Sequence, residues 1–123
     1  MYEEAFLIYK KIRYNHKLKE YFKMKMLDQN IIIDYLKQHK TDFSEKYSIV
    51  KIGLFGSFAT NKNKEDSDID IVYKTSSKGL TFAQVSQLED ELSIEFGKDI
   101  DLVNEDFMNP LIKRKAVKDI IYV

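Results

Sequence analysis

Asp68-x-Asp70 is the feature of this 123-residue chain best suited to chemistry, and Gly56-Ser57 stands a short way before it. The run Asp68-Ile69-Asp70-Ile71-Val72-Tyr73 alternates acid and apolar residues, then turns wholly apolar, as a strand entering a core does. Strand side chains alternate between faces, so Asp68 and Asp70 are expected on one face and Ile69 and Ile71 in the core. Two carboxylates about 7 Å apart by strand rise repel unless something positive lies between them. A hard divalent cation answers that need, and magnesium binds through one or two carboxylates together with substrate phosphates. Asp99-Ile100-Asp101-Leu102-Val103 repeats the alternation. If its strand lies beside the first, one face carries Asp68, Asp70 and Asp101.

Gly56-Ser57 supplies the complement. It closes the β-branched and aromatic run Ile49-Val50-Lys51-Ile52-Gly53-Leu54-Phe55, which reads as a buried strand. Backbone N–H groups at a turn after such a strand can meet phosphate oxygens. Glycine lets the backbone come close, and the Ser57 hydroxyl adds a donor. A phosphate cradle beside metal-holding acids describes phosphoryl or nucleotidyl transfer. Rival motifs fail. A P-loop needs Gly-Lys-Ser/Thr and a dinucleotide fingerprint needs Gly-x-Gly-x-x-Gly, and neither is present. A calcium loop starting at Asp66 would need Gly where Ile71 stands and Glu where Ser77 stands. His16 and His39 lack the cysteine or acid neighbours of a metal site.

The elements around these motifs follow from periodicity. Helical spacing runs from Tyr2 to about Leu27, with a break at Asn15-His16. Asp28 or Asn30 can cap a further helix through Ile32, Ile33 and Leu36 towards Phe43. Thr81 and Gln84 form a capping box. Val85, Leu88, Leu92 and Phe96 mark one face of the helix that follows, and Gly97 stops it. Asn109-Pro110 opens another helix, expected to reach about Lys118 before a terminal Ile120–Val123 strand. The order implies an α+β (mixed α/β) domain over residues 28–123, with one small mixed sheet flanked by helices, and a helical extension over residues 1–27.

Composition narrows the class. Cysteine is absent, which excludes a disulfide framework and a thiolate zinc site. No apolar run is long enough to span a bilayer and no signal-peptide pattern opens the chain, so a cytoplasmic protein is expected. The zero net charge hides an asymmetry: residues 1–51 hold 11 basic and 7 acidic side chains, residues 52–123 hold 9 and 13. Most of the excess falls between Lys10 and Lys25, where a solvated or partner-facing surface explains it more simply than nucleic acid does. A neutral chain does not advertise a polyanion partner.

Leu54-Phe55-Gly56-Ser57-Phe58-Ala59 followed by Ser67-Asp68-Ile69-Asp70-Ile71 resembles the minimal nucleotidyltransferases of the DNA polymerase β superfamily. The resemblance covers roughly residues 31–123 and takes in the Asp101-Leu102-Val103 strand and the Asn109-Pro110 helix. It implies Gly56 and Ser57 as nucleotide-phosphate contacts and Asp68 and Asp70 as ligands of one or two Mg2+ ions. Asp101 would be the third carboxylate, helping to hold the catalytic metal and activate the attacking hydroxyl. Similar short proteins serve as antitoxins paired with an HEPN-domain ribonuclease toxin, moving AMP from ATP onto a toxin tyrosine. The implied function is therefore ATP- and Mg2+-dependent protein adenylyltransfer. A binding-only antitoxin and an aminoglycoside-type small-molecule nucleotidyltransferase are the alternatives. With no acceptor domain after the sheet, a protein partner is expected to supply the missing wall. The extension is a candidate contact for that partner or for a second copy. The family continues its first motif as Ala-Arg-Gly, whereas this chain has Ala59-Thr60-Asn61, with Lys62 or Lys64 as candidate replacements for the charge.

Overall fold

The computed structural model describes residues 27–77 and 79–123. The expected helical extension lies outside them except for Leu27, whose side chain is part of the core. Helix α1 (Gln29–Gln38) starts where the Asp28 carboxylate accepts the Ile31 N–H at 2.9 Å, a side-chain cap on an otherwise unpaired amide. Its residues Ile32 and Leu36, one turn apart, are wholly buried.

The continuous helix expected towards Phe43 is broken. His39 leaves helical geometry at φ −101° and ψ 9°, and α2 (Lys40–Tyr47) begins after it. The stretch His39-Lys40-Thr41-Asp42 contains three weak helix formers, and the Asp42 carboxylate sits 3.2 Å from His39 Nδ1. The restart still buries Phe43 and Tyr47 against the core.

Strand β1 (Ile49–Phe55) runs into the four-residue helix α3 (Gly56–Ala59). After a loop come β2 (Ile69–Thr75) and the long helix α4 (Phe82–Phe96). Both halves of the capping box are made in α4, with Thr81 Oγ1 accepting the Gln84 N–H and Gln84 Oε1 accepting the Thr81 N–H. Gly97 ends α4 in the left-handed region at φ 67°, as its position suggests. Strand β3 (Ile100–Asn104) leads through a 3-10 turn (Glu105–Phe107) to α5 (Pro110–Ala116) and then to β4 (Ile121–Tyr122). Asn109 caps α5 as expected, but the helix stops at Ala116, ahead of Lys118, and buries none of its residues. Without a buried face, nothing beyond local propensity extends it.

The sheet order is β3-β2-β1-β4. β1 is antiparallel to β2 and to β4, while β2 and β3 are parallel, joined through α4. Ile52, Leu54, Ile69 and Ile71 on one face pack with Ile32, Leu36, Leu88 and Leu92 from the helices to form the core. Gly53 admits β4: a Cβ there would lie 2.9 Å from the Ile121 carbonyl oxygen. By strand alternation, Asp70 and Asp101 face away from this core.

Candidate active site

Register decides which acids meet. Asp70 pairs with Asp101 across the parallel β2–β3 ladder, flanked by the pairs Ile69–Ile100 and Ile71–Leu102. The wholly buried Ile69 and Ile71 hold the alternation, so Asp70 is fixed on the opposite face. Asp68 lies one residue before β2, exposed in the approach to the strand. Asp70 is half-buried and its carboxyl is pushed up to about 6, first by burial, then by the charges of Asp101 and Asp68 and a hydrogen bond with Asp101. Asp101 and Asp68 therefore both act on Asp70. Among the described residues no three His, Cys, Asp or Glu side chains are gathered so that they could hold a metal ion, so Asp68, Asp70 and Asp101 do not form a ready three-acid cluster. What the strands do bring together is the Asp70–Asp101 pair, and magnesium binds through one or two carboxylates together with substrate phosphates.

The glycine-serine turn abuts the same carboxylate. Phe55 pairs with Asp70 in the β1–β2 ladder, which carries Gly56 to the edge of the acids. Gly56 has φ +72°, and a Cβ on it would lie 2.1 Å from Asp70 Oδ2. No side chain fits there, so the bare backbone of the turn touches the acid face. Ser57, the second residue of α3, is half-buried.

A nucleotidyltransferase domain model matches residues 36–123, which take in α3 and all three acids. The chain belongs to that nucleotidyltransferase family. A Methanocaldococcus jannaschii protein provisionally named a protein adenylyltransferase is 41% identical over 96 residues, covering 75% of this chain and 94% of its own. The protein adenylyltransferase MntA of Thermococcus cleftensis is 31% identical over 102 residues, covering 81% of this chain and all of its own. The crystal structure of a toxin-antitoxin with AMP-PNP shares the fold at a TM-score of 0.59 and 24% identity, covering 78% of this chain and 72% of that one.

In this nucleotidyltransferase the segment after α3 departs from Ala-Arg-Gly, and the geometry shows how the turn is kept. Asn61 takes the left-handed conformation at φ 57°, which asparagine tolerates better than most residues. The Thr60 hydroxyl donates to the carbonyl oxygens of Gly56 and Ser57, each at 3.3 Å. Lys62 and Lys64 are exposed, and their backbone amides brace the loop by donating to the Ser57 carbonyl and the Ser67 hydroxyl. The cation drawn against the turn is Lys98, whose Nζ donates to the Glu65 carbonyl at 2.7 Å and lies 6.0 Å from the Phe58 ring. Sequence reasoning passed over it, and its position just after the Gly97 stop gave only a weak signal.

Gln29 was missed as well. Its Nε2 donates to the carbonyl oxygens of Phe58 at 3.2 Å and Ala59 at 2.6 Å, both in α3. Beside the acids, a cavity of about 400 Å³ opens between Asp68 and Asp99, with Ser67 and Lys98 in its wall. A larger one, about 630 Å³, lies between α2 and α4 and shares no residue with the acid site. The Lys46–Glu91 ion pair sits in its lining, an ordinary role for charges on a helical face.

Proposed function

We propose that the chain is an antitoxin-type protein adenylyltransferase, moving AMP from ATP to a tyrosine hydroxyl of an HEPN-type ribonuclease toxin. One observation carries the reading: the side-chain-free Gly56 backbone abuts Asp70, which is in register with Asp101. A phosphate-contacting turn and two adjoining carboxylates are the parts that nucleotidyl transfer requires. The names of the two archaeal relatives support a protein as acceptor.

In this reading Gly56 and Ser57 contact the triphosphate, and Asp68, Asp70 and Asp101 are the residues that would hold one or two Mg2+ ions. When bound there, such an ion would supply positive charge to offset the triphosphate and Lewis-acid polarisation of the transferred phosphoryl group. Asp101, the most exposed to an incoming acceptor of the Asp70–Asp101 pair, takes the proton of the tyrosine hydroxyl. The tyrosine oxygen then bonds to the α-phosphorus, and the bond to the β-phosphate oxygen breaks. AMP stays on the tyrosine and pyrophosphate leaves. No described helix is long and apolar enough to cross a membrane, and we place the pair in the cytoplasm.

Incubation of the protein with labelled ATP, Mg2+ and its HEPN-type partner tests this. Label on the partner, abolished by Asp70→Ala, supports transfer. Absence of label under conditions where the two proteins bind ends the enzyme reading and leaves occlusion by binding. That alternative draws on Thr60, which leaves the turn without the family's arginine.

A further inference from the structure

We infer that Gln29 is a positioning residue for the nucleotide, holding the α3 turn in the orientation that meets phosphate. The inference rests on reading Gly56-Ser57 as the phosphate-contacting turn. α3 is only four residues long, so it stabilises itself poorly and its peptide groups depend on outside partners. The carbonyls of Gly56 and Ser57 are served by their own neighbourhood, through the amides of Thr60 and Lys62 and the Thr60 hydroxyl. The Phe58 carbonyl receives a long bond from the Asn61 amide, at 3.4 Å. Gln29 supplies the remaining support from 29 and 30 residues away, one amide group donating to two successive carbonyls.

The donor matches the task. A side-chain amide carries two N–H bonds, so one Nε2 can hold both carbonyls at once. Peptide groups are planar with C=O and N–H opposed, so fixing the Phe58 and Ala59 carbonyls fixes the Ala59 and Thr60 amides, and the Thr60 amide in turn holds the Gly56 carbonyl at 3.2 Å. Gln29 is itself immobilised as the first residue of α1, whose Ile32 and Leu36 are wholly buried. The bond therefore ties a short, self-insufficient turn to the core. A cap that merely stabilised α1 would point at α1, and that role belongs to Asp28, which accepts the Ile31 amide.

The test compares Gln29→Met, which keeps side-chain length and helix propensity but has no donor, with Asp28→Ala, which removes the α1 cap and leaves the turn alone. AMP transfer is measured as kcat and as KM for ATP, and binding as Kd for a non-hydrolysable ATP analogue. For Gln29→Met we expect KM and Kd to rise about tenfold, the effect of losing two hydrogen bonds, with kcat within about twofold. Asp28→Ala is expected to lower the melting temperature and leave KM unchanged. An unchanged KM in Gln29→Met overturns the inference, as does an equal rise in Asp28→Ala or a fall in kcat alone, the sign of a smaller folded fraction. Should Gln29→Met not fold, Gln29→Asn keeps the amide but shortens its reach, and the same constants decide. A wild-type protein that neither binds the analogue nor transfers label overturns the function itself, whereas an active wild type with an indifferent Gln29→Met overturns the inference alone.

Discussion

Asp70→Asn should make the metal-free protein more stable while it abolishes transfer. The Asp70 carboxyl is raised from 3.8 to about 6, by burial and then by the Asp101 and Asp68 charges. A raised acid is disfavoured when ionised in the folded state, so its cost is absent below the unfolded value, grows between the two values and is complete above about 6. At face value that difference is about 3 kcal/mol. Solvent reaches the half-buried group and screens it, which leaves about 1–2 kcal/mol. Asparagine has the same shape and no charge, and its amide can donate to Asp101. In chelator near pH 8, Asp70→Asn should therefore melt about 5–10 °C above the wild type. Near pH 4 most of the gap should vanish, and Mg2+ near pH 8 should narrow it by stabilising only the wild type. Thermal unfolding by circular dichroism reads all three conditions. A variant no more stable than wild type near pH 8, or a gap that is the same near pH 4, would refute the crowded-carboxylate account.

Two further outcomes follow from other contacts. Gly56→Ala puts a methyl group where Asp70 Oδ2 lies and an L-residue at φ +72°, so transfer should fall at least about tenfold and stability by about 1–2 kcal/mol, read by label transfer and denaturant titration. Tyr122 Oη donates to Glu105 Oε1 at 2.5 Å, and this bond, followed by the charge of Lys51, lowers the Glu105 carboxyl from its ordinary value. A lowered acid adds stability above its unfolded value and loses it as pH falls through the folded one. Tyr122→Phe should thus cost about 1.5–3 kcal/mol near neutral pH, and the loss should shrink below the ordinary glutamate range in paired urea titrations.

Local chemistry made much of this molecule readable. The span of β1, the Thr81–Gln84 box, the Gly97 stop and the Asn109 cap each depend on side chains within a few positions, and each stands where the residues put it. The break at His39 was hidden because Ile32, Leu36, Phe43 and Tyr47 also suit one unbroken helix. Asp101 was legible as an acid on a strand, but its pairing with Asp70 required knowing that β3 lies beside β2 and parallel to it. Gln29 could not be found locally at all, since its partners are about 30 residues on. Nor did any short pattern mark Glu105 as buried, because its partners Tyr122 and Lys51 come from two other strands.

The sheet order gives the two halves of the site unequal tenure. Gly56 directly follows β1 and Asp70 lies in β2, the two central strands, whose ladder extends over most of their length. Asp101 belongs to β3, an edge strand reached only through the α4 crossover. Edge elements open in smaller, less costly fluctuations than central ones. The proposed proton acceptor, Asp101, can therefore detach while the Gly56-Ser57 turn, proposed to contact the nucleotide, and its neighbouring Asp70 stay assembled. Mild denaturant should silence transfer at concentrations that leave nucleotide binding intact, so that the chain passes through a state that still captures ATP but does not spend it.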